Sequence, residues 1–264
     1  MILHDQHVHS YYSFDSEQPI EEYLIEADKI GVSYFVLTDH LDLNYLDKGE
    51  DISFDIQKQN VELLDWQKKY PHIKILRGIE IGYKPSEINR IKEIIKNNHF
   101  DVINFSLHES DGIDYFFKDE FVKRGIDEVL KIYFQRELEA VQHYNDYDVF
   151  CHLDYGFKTA YLIDSSINIK KYEDMLIKIM QEVIKHNKTL ELNVKVQELI
   201  SKEHTLYILN LYKKLGGKYL TLSSDAHEIK RFRQSFDYYM SLIKQCGFDS
   251  LCYFVDRKRK EFVL

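Results

Sequence analysis

The sequence predicts an α/β fold in which one parallel sheet carries its helices on the outside. Three observations lead there. Short apolar runs alternate with amphipathic stretches seven times over. No repeat, low-complexity tract or linker interrupts the 264 residues. Polar residues gather at the C-terminal ends of the apolar runs. Strand followed by helix, repeated, implies right-handed crossovers and parallel pairing. A closed barrel and a doubly wound open sheet both satisfy that pattern. The length, close to the roughly 250 residues of one-domain α/β barrels, and the spread of polar strand ends favour the barrel, with one domain over 1–264.

The strand candidates, in order, are 2–7, 34–37, 73–81, 102–107, 149–152, 189–193 and 219–223. The helical patterns between and after them are about 19–30, 54–69, 86–97, 127–143, 170–186, 203–215 and 235–246. The seventh strand pairs with the last helix. Met175, Leu176, Ile179, Met180, Val183 and Ile184 illustrate the helical signal, because their spacing draws one apolar stripe.

Composition narrows the function classes. Hydrophobic residues at 44% supply a core, while 30% charged residues keep the surface hydrated. A formal charge of −9 offers no broad basic footprint for a nucleic-acid backbone. The start, Met1-Ile2-Leu3-His4-Asp5, lacks the basic and apolar regions of a secretory signal. No apolar run approaches the roughly 18 residues that span a bilayer, so no membrane is expected. Cys151, Cys246 and Cys252 cannot all pair with one another, and a reduced cytoplasm is the expected location.

The histidines divide by position. His4, His72, His99, His143, His186 and His204 fall near strand starts, in helices or in loops, and read as surface or capping residues. The other six stand beside acids at the C-terminal ends of strands, the rim where parallel α/β folds collect catalytic groups.

His7-Val8-His9 closes the first strand. Residues two apart on an extended chain share a face, so both imidazoles can grip one ion, and Asp5 shares their parity to orient one of them. Val36-Leu37-Thr38-Asp39-His40 is an apolar strand ending in an acid and an imidazole. Glu80 is a single carboxylate inside an apolar strand, either paired with Arg77 or lending one oxygen to each of two cations. His108 and His152 each end an apolar run, with Cys151 alternating away as a core thiol. Asp225 and His227 share a face past the last strand. Six such clusters at one end of one sheet point to bound metal.

These motifs, Asp5-Gln6-His7-Val8-His9, Thr38-Asp39-His40, Gly78-Ile79-Glu80, Ser106-Leu107-His108, Cys151-His152-Leu153-Asp154 and Ser224-Asp225-Ala226-His227, resemble the polymerase-and-histidinol-phosphatase (PHP) family of metal-dependent phosphoesterases. The likeness covers nearly the whole chain and implies a distorted (β/α)7 barrel. Within the family the chain looks most like the monofunctional histidinol-phosphatases of histidine biosynthesis. Three features add to that likeness: the Arg77–Tyr83 strand, the long insert after His108, and the ending Gly247-Phe248 … Tyr253–Lys260.

The resemblance implies up to three divalent ions, of zinc, manganese or iron. His7, His9, Glu80 and Asp225 would hold one. Glu80, His108 and His152 would hold a second. His40, His227 and Asp15 would hold a third, Asp15 standing where many relatives have histidine. A harder, negative ligand therefore replaces an imidazole there.

The implied reaction is hydrolysis of a phosphate monoester by a hydroxide between the Glu80-linked metals. Asp225 takes the nucleophile's proton, and His227 or Asp154 protonates the leaving alkoxide. Lys158, Arg231 and Arg233 are the candidate phosphate partners. Glu109, Asp111 and Tyr115 are candidates for holding a substrate imidazole and amine. The rival readings are a protein-tyrosine phosphatase or another phosphoesterase of the same family, and, in a different class, a regulator with a dead metal site. The partner expected throughout is a small phosphate monoester, not nucleic acid.

Overall fold

Seven parallel strands form the staves of the molecule, and their order follows from where the chain can bury both faces of a strand. The computed structural model describes residues 4–264, so Ile2 and Leu3, expected to open the first strand, lie outside the described residues. The strands are β1 (His4–Asp5), β2 (Tyr34–Leu37), β3 (His40–Tyr45), β4 (Glu50–Ile52), β5 (Lys74–Gly82), β6 (Val102–Ser106), β7 (Glu109–Ser110), β8 (Ile113–Asp114), β9 (Val149–Phe150), β10 (Thr189–Asn193), β11 (Leu220–Ser223), β12 (Ser250–Val255) and β13 (Lys258–Val263). The parallel path runs β1-β2-β5-β6-β9-β10-β11. A parallel bridge between Val8 and Ala226, with His9 N–H donating to the Ala226 carbonyl at 2.8 Å, joins its two ends into a nearly closed barrel.

The expected helices are present as Ile20–Ile30, Ile56–Lys69, Ile88–Asn97, Ile126–His143, Glu173–Lys185, Lys202–Lys214 and Phe236–Gln245. Ile126–His143 buries Val129, Leu130, Tyr133, Phe134, Leu138 and Val141 on one stripe within the main core. Outward residues of the strands, such as Ile79, Ile81, Ile103 and Phe105, meet the helices.

One stave is broken in a way that matters. β2 pairs with the first half of β5, and after Thr38 and Asp39 the chain resumes as β3 beside the second half, His40 opposite Glu80. At the break Thr38 N–H reaches back to the Val8 carbonyl at 2.8 Å. Gly78 permits this, because a Cβ there would lie 2.6 Å from Thr38 Cγ2 and 2.8 Å from the Leu37 carbonyl oxygen.

The C-terminal hairpin β12–β13 plugs one end of the barrel. Tyr253, Phe254 and Val255 pack on Val36, Leu76, Val102, Val149 and Cys151. The Gln6 side chain donates to the Phe254 carbonyl at 2.9 Å and accepts from its N–H at 2.7 Å, as a backbone partner would. His4 is buried there against Tyr253 and Phe262, not at the surface as expected. Burial and the nearby Arg233 push its imidazole down to about 3.

Candidate metal centre

The C-terminal ends of the staves converge on one point. His7 and His9 follow β1, His40 opens β3, Glu80 stands within β5, His108 lies two residues past β6, His152 two past β9, and Asp225 two past β11. His152 (φ 26°) and Asp225 (φ 52°) both occupy left-handed backbone. For non-glycine residues that conformation costs about 1 kcal/mol or more and is kept where the surroundings over-determine it.

Glu80 is the hub. Its Oε2 faces His7 Nε2 at 3.2 Å, His9 Nε2 at 3.4 Å and His40 Nδ1 at 3.0 Å. Its Oε1 faces His108 Nε2 at 3.3 Å and His152 Nε2 at 2.9 Å, and accepts from Ser106 Oγ. Arg77 makes no ion pair with it. Asp225 Oδ1 lies 3.3 Å from His9 Nε2 and 3.9 Å from His7 Nε2. Asp15 stands between His227 Nε2 at 3.0 Å and His40 Nε2 at 3.6 Å. The nine residues expected as ligands are therefore brought together, with the two Glu80 oxygens serving different histidines.

The donor set fits divalent ions. His7 Nε2, His9 Nε2, His40 Nδ1, His227 Nε2 and Glu80 Oε2 are buried without a hydrogen-bond partner. Orphaned groups of this kind are expensive unless something else satisfies them. Bonds of 2.0–2.1 Å in tetrahedral geometry put neighbouring ligand atoms about 3.3 Å apart, which is the spacing found around Glu80. Burial opposes charge on Glu80, yet His7, His108 and His40 outweigh it and hold the carboxyl well below its usual range.

Three of the outer nitrogens are anchored, as is usual for metal-ligating imidazoles, while His152 Nδ1 is buried without a partner. His7 Nδ1 meets Glu191 Oε1 at 2.7 Å, His9 Nδ1 meets Ser13 Oγ at 3.0 Å, and His108 Nδ1 meets Asp42 Oδ1 at 2.8 Å. Asp39 does not face the cluster. It accepts from Ser10 N–H at 2.7 Å, Ser13 Oγ at 2.6 Å and Gln59 Nε2 at 2.6 Å, which pins the loop carrying Asp15.

Sequence reasoning missed Glu191, Asp42, Ser13 and Lys195. Glu191, a carboxylate inside the apolar strand Thr189–Asn193, carries the same signal that singled out Glu80. Asp42 and Lys195 carry none.

Several expectations need correction. Asp5 accepts from the Ser224 N–H at 3.1 Å and orients backbone, not an imidazole. Asp154 accepts from Gln197 Nε2 and His204 Nε2, both at 2.8 Å. Burial raises its pKa, but His204 and Gln197 outweigh burial and hold the carboxyl below its usual range, so it has no proton to give at neutral pH. His204 is accordingly buried, not a surface residue. Arg231 is paired with Glu198, and Arg233 donates to the His4 carbonyl towards the plugged end. Glu109 is held by Lys84 at 2.7 Å, Asp111 by Arg136 at 2.7 Å, and Tyr115 bonds Ser110 while its ring meets Tyr133. None of these five faces the histidines.

Lys158 is placed differently from those five, beside two rings that wall the cavity next to His40 and His108. It is buried on the helix Tyr155–Tyr161, with Nζ 3.8 Å from the centre of the Tyr155 ring and 5.1 Å from that of Phe116. Burial and the nearby Lys195 push its ammonium down to about 7. Lys195 Nζ lies 3.4 Å from Asp225 Oδ1 and 3.0 Å from His227 Nδ1. A cavity of about 260 Å³ opens beside His40 and His108, walled by Phe14, Tyr45, Phe116, Phe117 and Tyr155 and by the acids Asp15, Asp42 and Asp114. Among the described residues no helix is long and apolar enough to cross a membrane.

Comparison with known proteins bears on the fold and the family. The PHP domain pattern matches residues 5–195. The histidinol-phosphatase of Lactococcus lactis subsp. lactis is 31% identical over 97% of both chains. A relative from Clostridium acetobutylicum is 29% identical over 93% of this chain and 94% of its own. The crystal structure of the L. lactis histidinol phosphate phosphatase, complexed with zinc, L-histidinol and phosphate, superposes with a TM-score of 0.88 at 28% identity over 98% of each chain. With the pattern matched through the strands that carry His7 to Glu191, the chain belongs to the PHP-domain family.

Proposed function

We infer that this chain is a metal-dependent phosphomonoesterase that hydrolyses L-histidinol phosphate to L-histidinol and phosphate. The observation that carries the reading is the convergence of six imidazoles and three carboxylates on a barrel that superposes over 98% of its length on a histidinol phosphate phosphatase. One domain over residues 1–264, acting in the cytoplasm, is part of the same reading.

His7, His9, Glu80 and Asp225 would hold one ion, Glu80, His108 and His152 a second, and Asp15, His40 and His227 a third. The ions, zinc, manganese or iron, would supply Lewis acidity towards the phosphoryl oxygens and acidify the attacking water. Asp225 would accept the water's proton on Oδ1. That atom is kept ionised by Lys195 and His7 against the cost of burial.

Lys158 and Lys195 repel each other across the site, and a phosphate dianion between them relieves that repulsion. Lys158 Nζ, held as an ammonium beside that dianion, would also carry a proton for the departing alkoxide. The aromatic and acidic cavity suits the amine and imidazole of histidinol, because ring faces and carboxylates both attract cations.

Purified, metal-loaded protein should hydrolyse histidinol phosphate well ahead of phosphotyrosine peptide and of an arbitrary monoester. Chelation should stop the reaction and re-addition of metal restore it. Equal rates on all three substrates would sink the substrate assignment.

A further inference from the structure

We propose that Glu191 is a positioning residue that holds His7 and His152, one on each side of Glu80, in register for metal binding. The inference rests on the metal-cluster reading and assigns a residue outside the ligand set.

Glu191 projects into the barrel from β10, and its side chain is fully buried. Oε1 accepts from His7 Nδ1 at 2.7 Å and from Ser223 Oγ. Oε2 accepts from the His152 backbone N–H at 2.9 Å and from Asn193 Nδ2 at 3.1 Å. One carboxylate thus joins the ends of β1, β9, β10 and β11.

Two features tie the clamp to the metals. An ionised carboxylate only accepts, so His7 must carry its proton on Nδ1. Its Nε2 then presents a lone pair, and that buried nitrogen has no hydrogen-bond partner and lies 3.2 Å from Glu80 Oε2. His152, meanwhile, sits at φ 26°, a conformation a non-glycine residue keeps only when held. Glu191 fixes its N–H, while its carbonyl accepts from Tyr133 OH at 3.3 Å. The side chain so aimed puts Nε2 2.9 Å from Glu80 Oε1. Because His7 serves one Glu80 oxygen and His152 the other, Glu191 sets both halves of the bridged pair.

An amide in the same place offers a single oxygen. If its NH2 faces His7, the imidazole proton must move to Nε2 and the metal-facing lone pair is lost. If it faces His152, two N–H groups meet at a strained backbone. Either way one half of the pair is released.

The test compares wild type with Glu191→Gln. Bound zinc per chain, zinc dissociation constants by chelator competition, the visible spectrum of the cobalt-loaded protein and the melting of the metal-free protein are measured. The expected result is zinc binding weakened about 10–100-fold at the bridged pair, an altered cobalt spectrum, and zinc at the third site retained. Unchanged affinity would overturn the proposal, as would a fall in metal-free melting with uniform loss of all metal, the mark of a residue that only supports the fold.

A measurement on wild type guards against a variant that does not fold. Long-range proton–nitrogen correlation of the zinc protein should show His7 protonated at Nδ1; protonation at Nε2 overturns the assignment. A wild-type chain that loads metal yet spares histidinol phosphate would overturn the substrate reading alone.

Discussion

Gly82→Ala perturbs the metal centre without touching any ligand. Gly82 ends β5 on the inward face it shares with Glu80, two residues before it. Its own backbone is not left-handed, so alanine is locally tolerable. An added methyl, however, would overlap Asp42 Oδ1 and stand 2.7 Å from Asp42 Cγ. Carbon atoms pack at about 3.5–4.0 Å, so the Asp42 carboxylate must retreat by roughly an ångström. Its Oδ1 holds His108 Nδ1 at 2.8 Å, and a hydrogen bond stretched that far is no longer one.

A bond to a charged group is worth about 1.5–3 kcal/mol. Loss of an outer partner of a ligating histidine typically costs about 10–100-fold in metal affinity or activity. The expected outcome is a folded variant whose second-site zinc affinity and kcat/KM fall within that range, measured by chelator competition and steady-state kinetics. Since both changes act through the same contact, Gly82→Ala combined with Asp42→Ala should be no worse than Asp42→Ala alone. Wild-type zinc affinity in Gly82→Ala, or additive losses in the double variant, would refute the reasoning.

Two other outcomes follow from buried charges. Lys158 is lowered from 10.5 to about 7, so between those values the unfolded chain holds a proton the folded chain lacks. Metal-free stability should therefore rise with pH across that window by about 1.4 kcal/mol per unit from this group. Lys158→Met should lack that slope and exceed wild type most at pH 6, as denaturation at pH 6, 8 and 10 would reveal; an unchanged slope would refute it. Asp154→Ala leaves His204 and Gln197 without their shared acceptor and should destabilise the metal-free protein by about 3 kcal/mol or more, with zinc stoichiometry unchanged. Loss of zinc in that variant would instead put Asp154 within the centre.

Particular residues show how far the sequence carried. The seven staves and seven helices were legible because β-period and helix-period apolar patterns report burial directly. The hairpins β3–β4, β7–β8 and β12–β13 were not, since their strands either lack alternation or run into polar motifs. His7, His9, His40, Glu80, His108, His152, Asp225 and His227 were readable as polar groups ending apolar strands. The long-range partners were not. Arg231, Arg233 and Glu109 stand near the motifs in the chain, yet each is held by a partner elsewhere in the fold, Arg231 by Glu198, Arg233 by a hydrogen bond to the His4 carbonyl and Glu109 by Lys84.

By itself, then, the sequence determined the alternation that makes a parallel barrel and the residue types gathered at one rim, because strand period and ligand chemistry are local properties. Only the tertiary structure decided which Glu80 oxygen meets which histidine, that Glu191 spans His7 and His152, and that Asp154 turns to His204. Those pairings depend on barrel closure between Val8 and Ala226 and on the broken stave at Thr38 and Asp39. Distances across a closed sheet follow from the tilt and stagger of all its strands together, a property of the whole barrel and not of any one strand.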